Sequence, residues 1–177
     1  MPKLAALALV VGVLAVIDTW LFALPALANL HMQVWISFIA WGAHFMAGGK
    51  TTGVKASILS MSFGALVGMC AALVAGGVLA GLGGLAVPVA VGLGAAVIVV
   101  ASKVPTLEAI PAGFYGFACI FGLLAVVKPD SPTAGLLPSI LSFVVGGAFG
   151  YVSEIVTDLL ARKDIALEPG VGQPAGN

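Results

Sequence analysis

The run Thr51-Thr52-Gly53-Val54-Lys55-Ala56-Ser57-Ile58-Leu59-Ser60-Met61-Ser62-Phe63-Gly64-Ala65-Leu66-Val67-Gly68 returns, without a gap, as Thr133-Ala134-Gly135-Leu136-Leu137-Pro138-Ser139-Ile140-Leu141-Ser142-Phe143-Val144-Val145-Gly146-Gly147-Ala148-Phe149-Gly150. Eight of the 18 positions are identical, among them the string Gly-x-x-x-Ser-Ile-Leu-Ser. Self-similarity at this distance marks a duplicated unit. Upstream of each copy stands an aromatic series: Phe38, Trp41 and Phe45 before the first, Phe114, Phe117 and Phe121 before the second. The Lys128-Pro129-Asp130-Ser131-Pro132 connection absorbs the change of offset.

Working outward, the solvent of the duplicated unit follows from composition. Hydrophobic residues make up 61% of the 177 and charged residues 8%. A soluble domain carries about 25% charged residues to keep its surface wet. Seven Lys+Arg and seven Asp+Glu do not cover such a surface, so lipid is the expected solvent. In lipid every backbone group must be satisfied internally, which leaves helices or closed barrels. The apolar runs are continuous and about twenty residues long, the length of a helix crossing about 30 Å of hydrocarbon; a barrel would alternate over about ten.

Breaks at Pro, Gly, Asn and Lys divide the chain into six expected spans: Leu4–Leu24, Met32–Ala47, Val54–Ala75, Leu85–Ser102, Leu107–Val127 and Thr133–Leu160. Span two matches span five and span three matches span six, whereas spans one and four show no convincing match. Three spans per repeat is an odd number, so the halves (residues 4–76 and 84–160) enter the bilayer from opposite sides as an inverted repeat. With the N-terminus inside, the cytoplasmic face holds Lys3, Lys50, Lys55, Lys103, Arg162 and Lys163 against Lys128 outside. That asymmetry places both termini in the cytoplasm. Lys3, the first apolar run and Ala26-Leu27-Ala28 also read as a signal peptide with its cleavage site. Asp18 and Trp20 interrupt that run, and a retained first span is the preferred reading. The six-helix domain ends at residue 163, and the polar, Pro/Gly-rich 164–177 segment reads as a disordered cytoplasmic tail.

Spacing assigns roles. Ser60, Gly64 and Gly68, like Ser142, Gly146 and Gly150, fall at i, i+4 and i+8 and form small-residue stripes that let another backbone approach. These stripes also suit a homo-oligomer. Trp41 and Phe117 lie near mid-depth and are candidates for a paired aromatic constriction. Ionisable groups inside a membrane are costly and are functional candidates by default. Asp18 lies within span one and His44 in the inner half of span two; they differ in depth by about 8 Å, so no direct pair is expected. Glu108 is expected in the first turn of span five, complementing its dipole. Glu154 and Asp158 are expected near cytoplasmic water.

No paired-His metal motif, phosphate loop or nucleophile–base set is present, so neither an enzyme, a metal nor a cofactor is expected. Cys70 and Cys119 sit in apolar runs as small hydrophobes. Zero net charge without a basic run argues against nucleic acid. The expected partners are the lipid bilayer and a small neutral solute.

Trp35-x-x-Phe38 with His44-Phe45-x-Ala47-Gly48-Gly49-x-x-x-Gly53, then Val104-Pro105 through Ile110-Pro111-Ala112-Gly113-Phe114-Tyr115-Gly116, then Leu137-Pro138-Ser139 and Gly146 through Tyr151, resemble the YcdZ-like family of uncharacterised bacterial inner-membrane proteins. The similarity covers residues 30–152. It implies a location and a fold but no reaction or ligand, and in that family an aromatic such as Tyr can stand where this chain has His44. The three-plus-three plan is also that of formate/nitrite channels and aquaporins, although the aquaporin Asn-Pro-Ala boxes are absent. The functional expectation is a channel or facilitator for a small uncharged solute, lined by Asp18, Trp41, His44, Glu108, Phe114 and Phe117. The alternative is a non-transporting subunit that packs against partner helices.

Overall fold

A computed structural model describes the path of residues 1–165 and the side chains of residues 1–161. The tail expected from residue 164 lies, beyond Ile165, outside the described residues. Among these residues the fold is all-helical, with no strand. We name the principal helices α1 (Lys3–Ala23), α2 (Val34–Met46), α3 (Lys50–Gly76), α4 (Ala86–Ala101), α5 (Ile110–Val126) and α6 (Leu136–Ile165). A single turn, Pro25–Ala28, follows α1, and a 3-10 stretch, Ala80–Leu85, leads into α4.

Proline placement explains several boundaries. Pro25 ends α1, while Pro88, Pro111 and Pro138 all fall in the first turns of α4, α5 and α6, where the missing N–H has no helical acceptor to lose. α3 begins at Lys50, so Lys50–Gly53, expected as loop, is helix; the reversal is confined to Gly48, Gly49 and Lys50, all at positive φ (89°, 71° and 51°). Within α3, Ala56–Ser60 forms a π turn. Ser57 Oγ donates to the Gly53 carbonyl at 2.9 Å, and Ser139 Oγ donates to the Gly135 carbonyl at 2.9 Å. The two sequence copies thus make the same back-bond.

Four segments are long and apolar enough to cross a membrane: Lys3–Ala23, Lys50–Gly76, Ala80–Ala101 and Pro132–Ala161. α2 and α5, with 13 and 17 residues, are equally apolar but shorter. Such helices suit a membrane-embedded protein. They correspond in order to the six expected spans, with α2 clipped by the turn at Asn29–Gln33, where His31 takes φ 56°.

Packing interleaves the chain. α6 packs on α2 and α1, α3 packs on α5 and α4, and α3 meets α6 near the π turn. The small-residue stripes make these contacts. A Cβ on Gly64 would collide with the Gly113 carbonyl, and one on Gly146 with the Ser37 carbonyl. One on Gly68 would lie 3.4 Å from Ile120 Cβ, and one on Gly150 2.7 Å from His44 Cβ. Backbone-to-backbone approach of this kind maximises dispersion where no hydrophobic effect operates between helices.

The contacts form two matching sets. Gly64 on Gly113 and Gly146 on Ser37 are related by steps of 82 residues along α3/α6 and 76 along α2/α5. α1 and α4 also correspond, at a step of 80: α1 buries Ala6, Val10 and Asp18 where α4 buries Ala86, Ala90 and Ile98. Asp18 faces Ser37, and Ile98 faces Gly113.

Candidate functional site

Most of the buried polar residues gather where α1, α2 and α6 meet, while Ser57 and Ser60 lie on α3. Ser37, Trp41 and His44 recur at i, i+4 and i+7 on the inward face of α2, all 3% exposed or less. Opposite them, α6 presents Ser142, Ser153, Glu154 and Thr157, and α1 presents Asp18.

Towards the Gln33 end, Ser37 Oγ donates to Asp18 Oδ1 at 3.2 Å, while Asp18 Oδ2, fully buried, has no partner. Ser142 Oγ accepts from the Gln33 N–H at 3.2 Å and donates to the Pro138 carbonyl at 2.8 Å. One turn along α2, Trp41 Nε1–H donates to Ser153 Oγ at 3.1 Å, and Ser153 Oγ donates to the Gly150 carbonyl at 2.7 Å. The indole ring lies 5.8 Å from Phe38 and 5.5 Å from Phe149, centroid to centroid.

Towards the Lys3 end, the His44 ring fills a slot between Gly53 and Gly150, where a Cβ on either glycine would approach it to 2.7 Å. Its Nε2 lies 3.3 Å from Glu154 Oε2, and its Nδ1 is buried without a partner. The same Glu154 oxygen accepts the Lys50 N–H at 2.6 Å, so one carboxylate holds the imidazole and caps the first turn of α3. The carboxylate packs directly on Gly49, whose own missing Cβ would sit 2.7 Å from Oε2. Beside it opens a crevice of about 250 Å³ lined by Lys3, Phe45, Glu154, Thr157 and Asp158, in which Lys3 Nζ pairs with Asp158 at 2.9 Å. These groups form a polar seam running along α2 from Gln33 to His44 and opening at the crevice.

A family model described as a protein of unknown function, DUF1097, matches residues 8–158. The chain belongs to the DUF1097 family. No curated protein and no solved structure matches it. The matched region of this DUF1097 protein runs from α1 into the last turns of α6 and takes in the whole seam from Asp18 to Asp158.

Of the six residues expected to line a pathway, the DUF1097 fold brings Asp18, Trp41 and His44 to this seam. Phe117, 6% exposed, lies in the other half against Phe121 (centroids 5.1 Å apart) and Gly94, so it does not face Trp41. Phe114 is 37% exposed on the outer face of α5. Glu108 is exposed and precedes α5 instead of opening it, because the helix starts at Ile110 with Pro111 in its first turn. It borders a separate 250 Å³ crevice with Thr52, Lys55 and Pro105. The stripe residues Ser60, Gly64, Gly68, Ser142, Gly146 and Gly150 are all buried at helix crossings.

Sequence reading missed Ser37, Ser153 and Thr157 as seam residues, and placed Glu154 only at the interface. The signal was present: Ser37, Trp41 and His44 share a face as well as Phe38, Trp41 and Phe45 do, but the aromatic repetition drew the reading to the second series. Phe38 and Phe45 are 41% and 38% exposed. No group of three or more His, Cys, Asp or Glu is placed to hold a metal ion among the described residues.

Proposed function

We propose that this DUF1097 protein is a non-enzymatic channel or facilitator that passes a small uncharged solute along the α1–α2–α6 seam. In this reading all six helices span, as two inverted three-helix repeats, in the bacterial inner membrane to which the YcdZ-like resemblance points. Both termini are cytoplasmic, following the lysine and arginine asymmetry. The interleaved packing and the matched contacts of α1 with α4, α2 with α5 and α3 with α6 support the repeat.

One observation carries the pathway. The apolar half supplies a control for the polar one, position by position. Where the seam has Asp18, Ser37, His44, Ser153, Glu154 and Thr157, the equivalent positions hold Ile98, Gly113, Ile120, Ala71, Ala72 and Ala75. At these six positions the equivalent crossings are therefore made by apolar residues. A buried polar atom lacking a partner costs about 1–3 kcal/mol, and among the described residues three of the four unpartnered buried side-chain atoms, on Asp18, His44 and Thr157, lie on the seam. Groups dispensable for packing and costly to bury are retained for passage.

A second reading, a non-transporting subunit that packs with partner helices, draws on the tight contact of Gly64 with Gly113 and of Gly146 with Ser37, which closes the crossings to solvent. Stopped-flow light scattering on proteoliposomes separates the two. Under the pathway reading, urea or glycerol flux exceeds that of protein-free vesicles and changes in Trp41→Ala, which removes the indole beside Ser153. Flux equal to that of empty vesicles, with folded protein in the bilayer, rejects the pathway and favours the packing subunit.

A further inference from the structure

We infer that Asp18 is a proton-binding site and that protons cross the seam by way of it. The inference takes its route from the proposed pathway and adds the proton as a second traveller.

Three observations combine. Asp18 is 0% exposed, it forms no ion pair among the described residues, and only one of its oxygens is hydrogen-bonded. Oδ2 is thus a buried oxygen with a free lone pair to which a proton can add. Divalent metal ions need about six oxygen ligands. The side-chain oxygens placed here are those of Asp18 and Ser37, too few to form an all-protein metal cage. A proton needs one lone pair: it adds to Oδ2 to give the neutral acid, and its departure restores the carboxylate, so each passage moves one positive charge. Finally, Ile98 occupies the matching place in the other half, so the carboxyl is not required to bring these helices together.

The groups around Asp18 fit a station on a route. Ser37 holds Oδ1 and leaves Oδ2 free to exchange. Along α2 the next titratable group is His44, seven residues and about 10 Å beyond Ser37, paired with Glu154 of α6. In the other direction the exposed His31 precedes α2. On α1 itself the nearest charge is Lys3, about 22 Å along the helix. His44 suits a second station, because an imidazole accepts a proton at one nitrogen and releases one from the other. Its Nε2 meets Glu154 at the crevice side while Nδ1 is unpartnered.

Proteoliposomes containing the full chain and internal pyranine test this, with potassium and valinomycin clamping the potential. After an external pH jump, wild type is expected to equilibrate faster than protein-free vesicles. Asp18→Asn keeps the shape, and the Asp18→Ile/Ser37→Gly pair copies the occupants of the apolar half; in both the excess rate is expected to fall by about tenfold or more, the relay group being gone. A wild-type rate equal to that of empty vesicles, or an Asp18→Asn rate equal to wild type, overturns the inference. Urea and glycerol flux measured in the same vesicles separates the two claims: solute flux without proton movement removes the proton site and leaves the pathway, and loss of both removes the pathway as well.

Discussion

At the scale of single residues, glycine and histidine are fitted to one another. The His44 imidazole occupies the space that side chains at Gly53 and Gly150 would fill, and the resulting slot holds Nε2 against Glu154. Gly150→Ala should therefore push the ring from its position, destabilising the protein by about 1–3 kcal/mol, as overpacking of a tight interior does. Gly12→Ala, on the open face of α1 with nothing within 4 Å, should not destabilise it. Thermal unfolding in detergent, followed by circular dichroism, distinguishes the two: equal melting temperatures would refute the slot. The stripes that carry Gly150 were legible from sequence, since spacing of four puts small residues on one helix face. The partner of each stripe was not. Nothing in the order of residues says that Gly150 meets His44, 106 positions earlier, and Gly68 meets Ile120.

Among helices, the informative feature is the start of α3. Three successive positive φ values turn the chain at Gly48–Lys50, and the Glu154 carboxylate caps the exposed N–H of Lys50. Removing it by Glu154→Ala should cost about 0.5–2 kcal/mol, and the loss should be local. Hydrogen exchange is expected to quicken at the first turn of α3 and in the adjoining His44 region while Met61–Gly76 stays protected; unchanged exchange at Lys50–Gly53 would show that the cap is dispensable. Helix identity and order were readable from apolar run length, yet boundaries moved wherever backbone chemistry overrode it. Lys50–Gly53 looked like loop because it is polar and ends in glycine, and it became helix once Gly49 took the turn. Glu108 moved out of α5 because Pro111 fixes that helix's first turn. The correspondence of buried positions in α1 and α4 escaped sequence comparison for a simple reason. Only Ala6/Ala86, Val11/Val91, Gly12/Gly92 and Ala15/Ala95 are identical at the step of 80, and one telling pair, Asp18/Ile98, is opposite in polarity.

Over the whole molecule, two similar helix arrangements differ in what they bury, and that difference has a measurable cost. The Asp18→Ile/Ser37→Gly pair replaces a half-satisfied carboxyl with the packing already present at Ile98 and Gly113. It should raise the melting temperature, because exchanging buried polar groups for well-packed apolar ones is often stabilising. A lowered melting temperature would mean that the two halves are not equivalent in shape. Composition alone pointed to lipid, which the long apolar helices suit, and the repeated Gly-x-x-x-Ser-Ile-Leu-Ser string pointed to the matching back-bonds of Ser57 and Ser139. The concentration of polarity on one side was beyond sequence reading, because it depends on α6 crossing over to serve α1 and α2.

That crossing governs the order of events during synthesis. Gln33, Trp41 and His44 find their partners Ser142, Ser153 and Glu154 at separations of 109, 112 and 110 residues. α1 and α2, made before α6, must therefore wait for it. Until α6 arrives, the indole and imidazole remain without their final hydrogen bonds. Helices made early in this stretch are finished only by one made more than a hundred residues later.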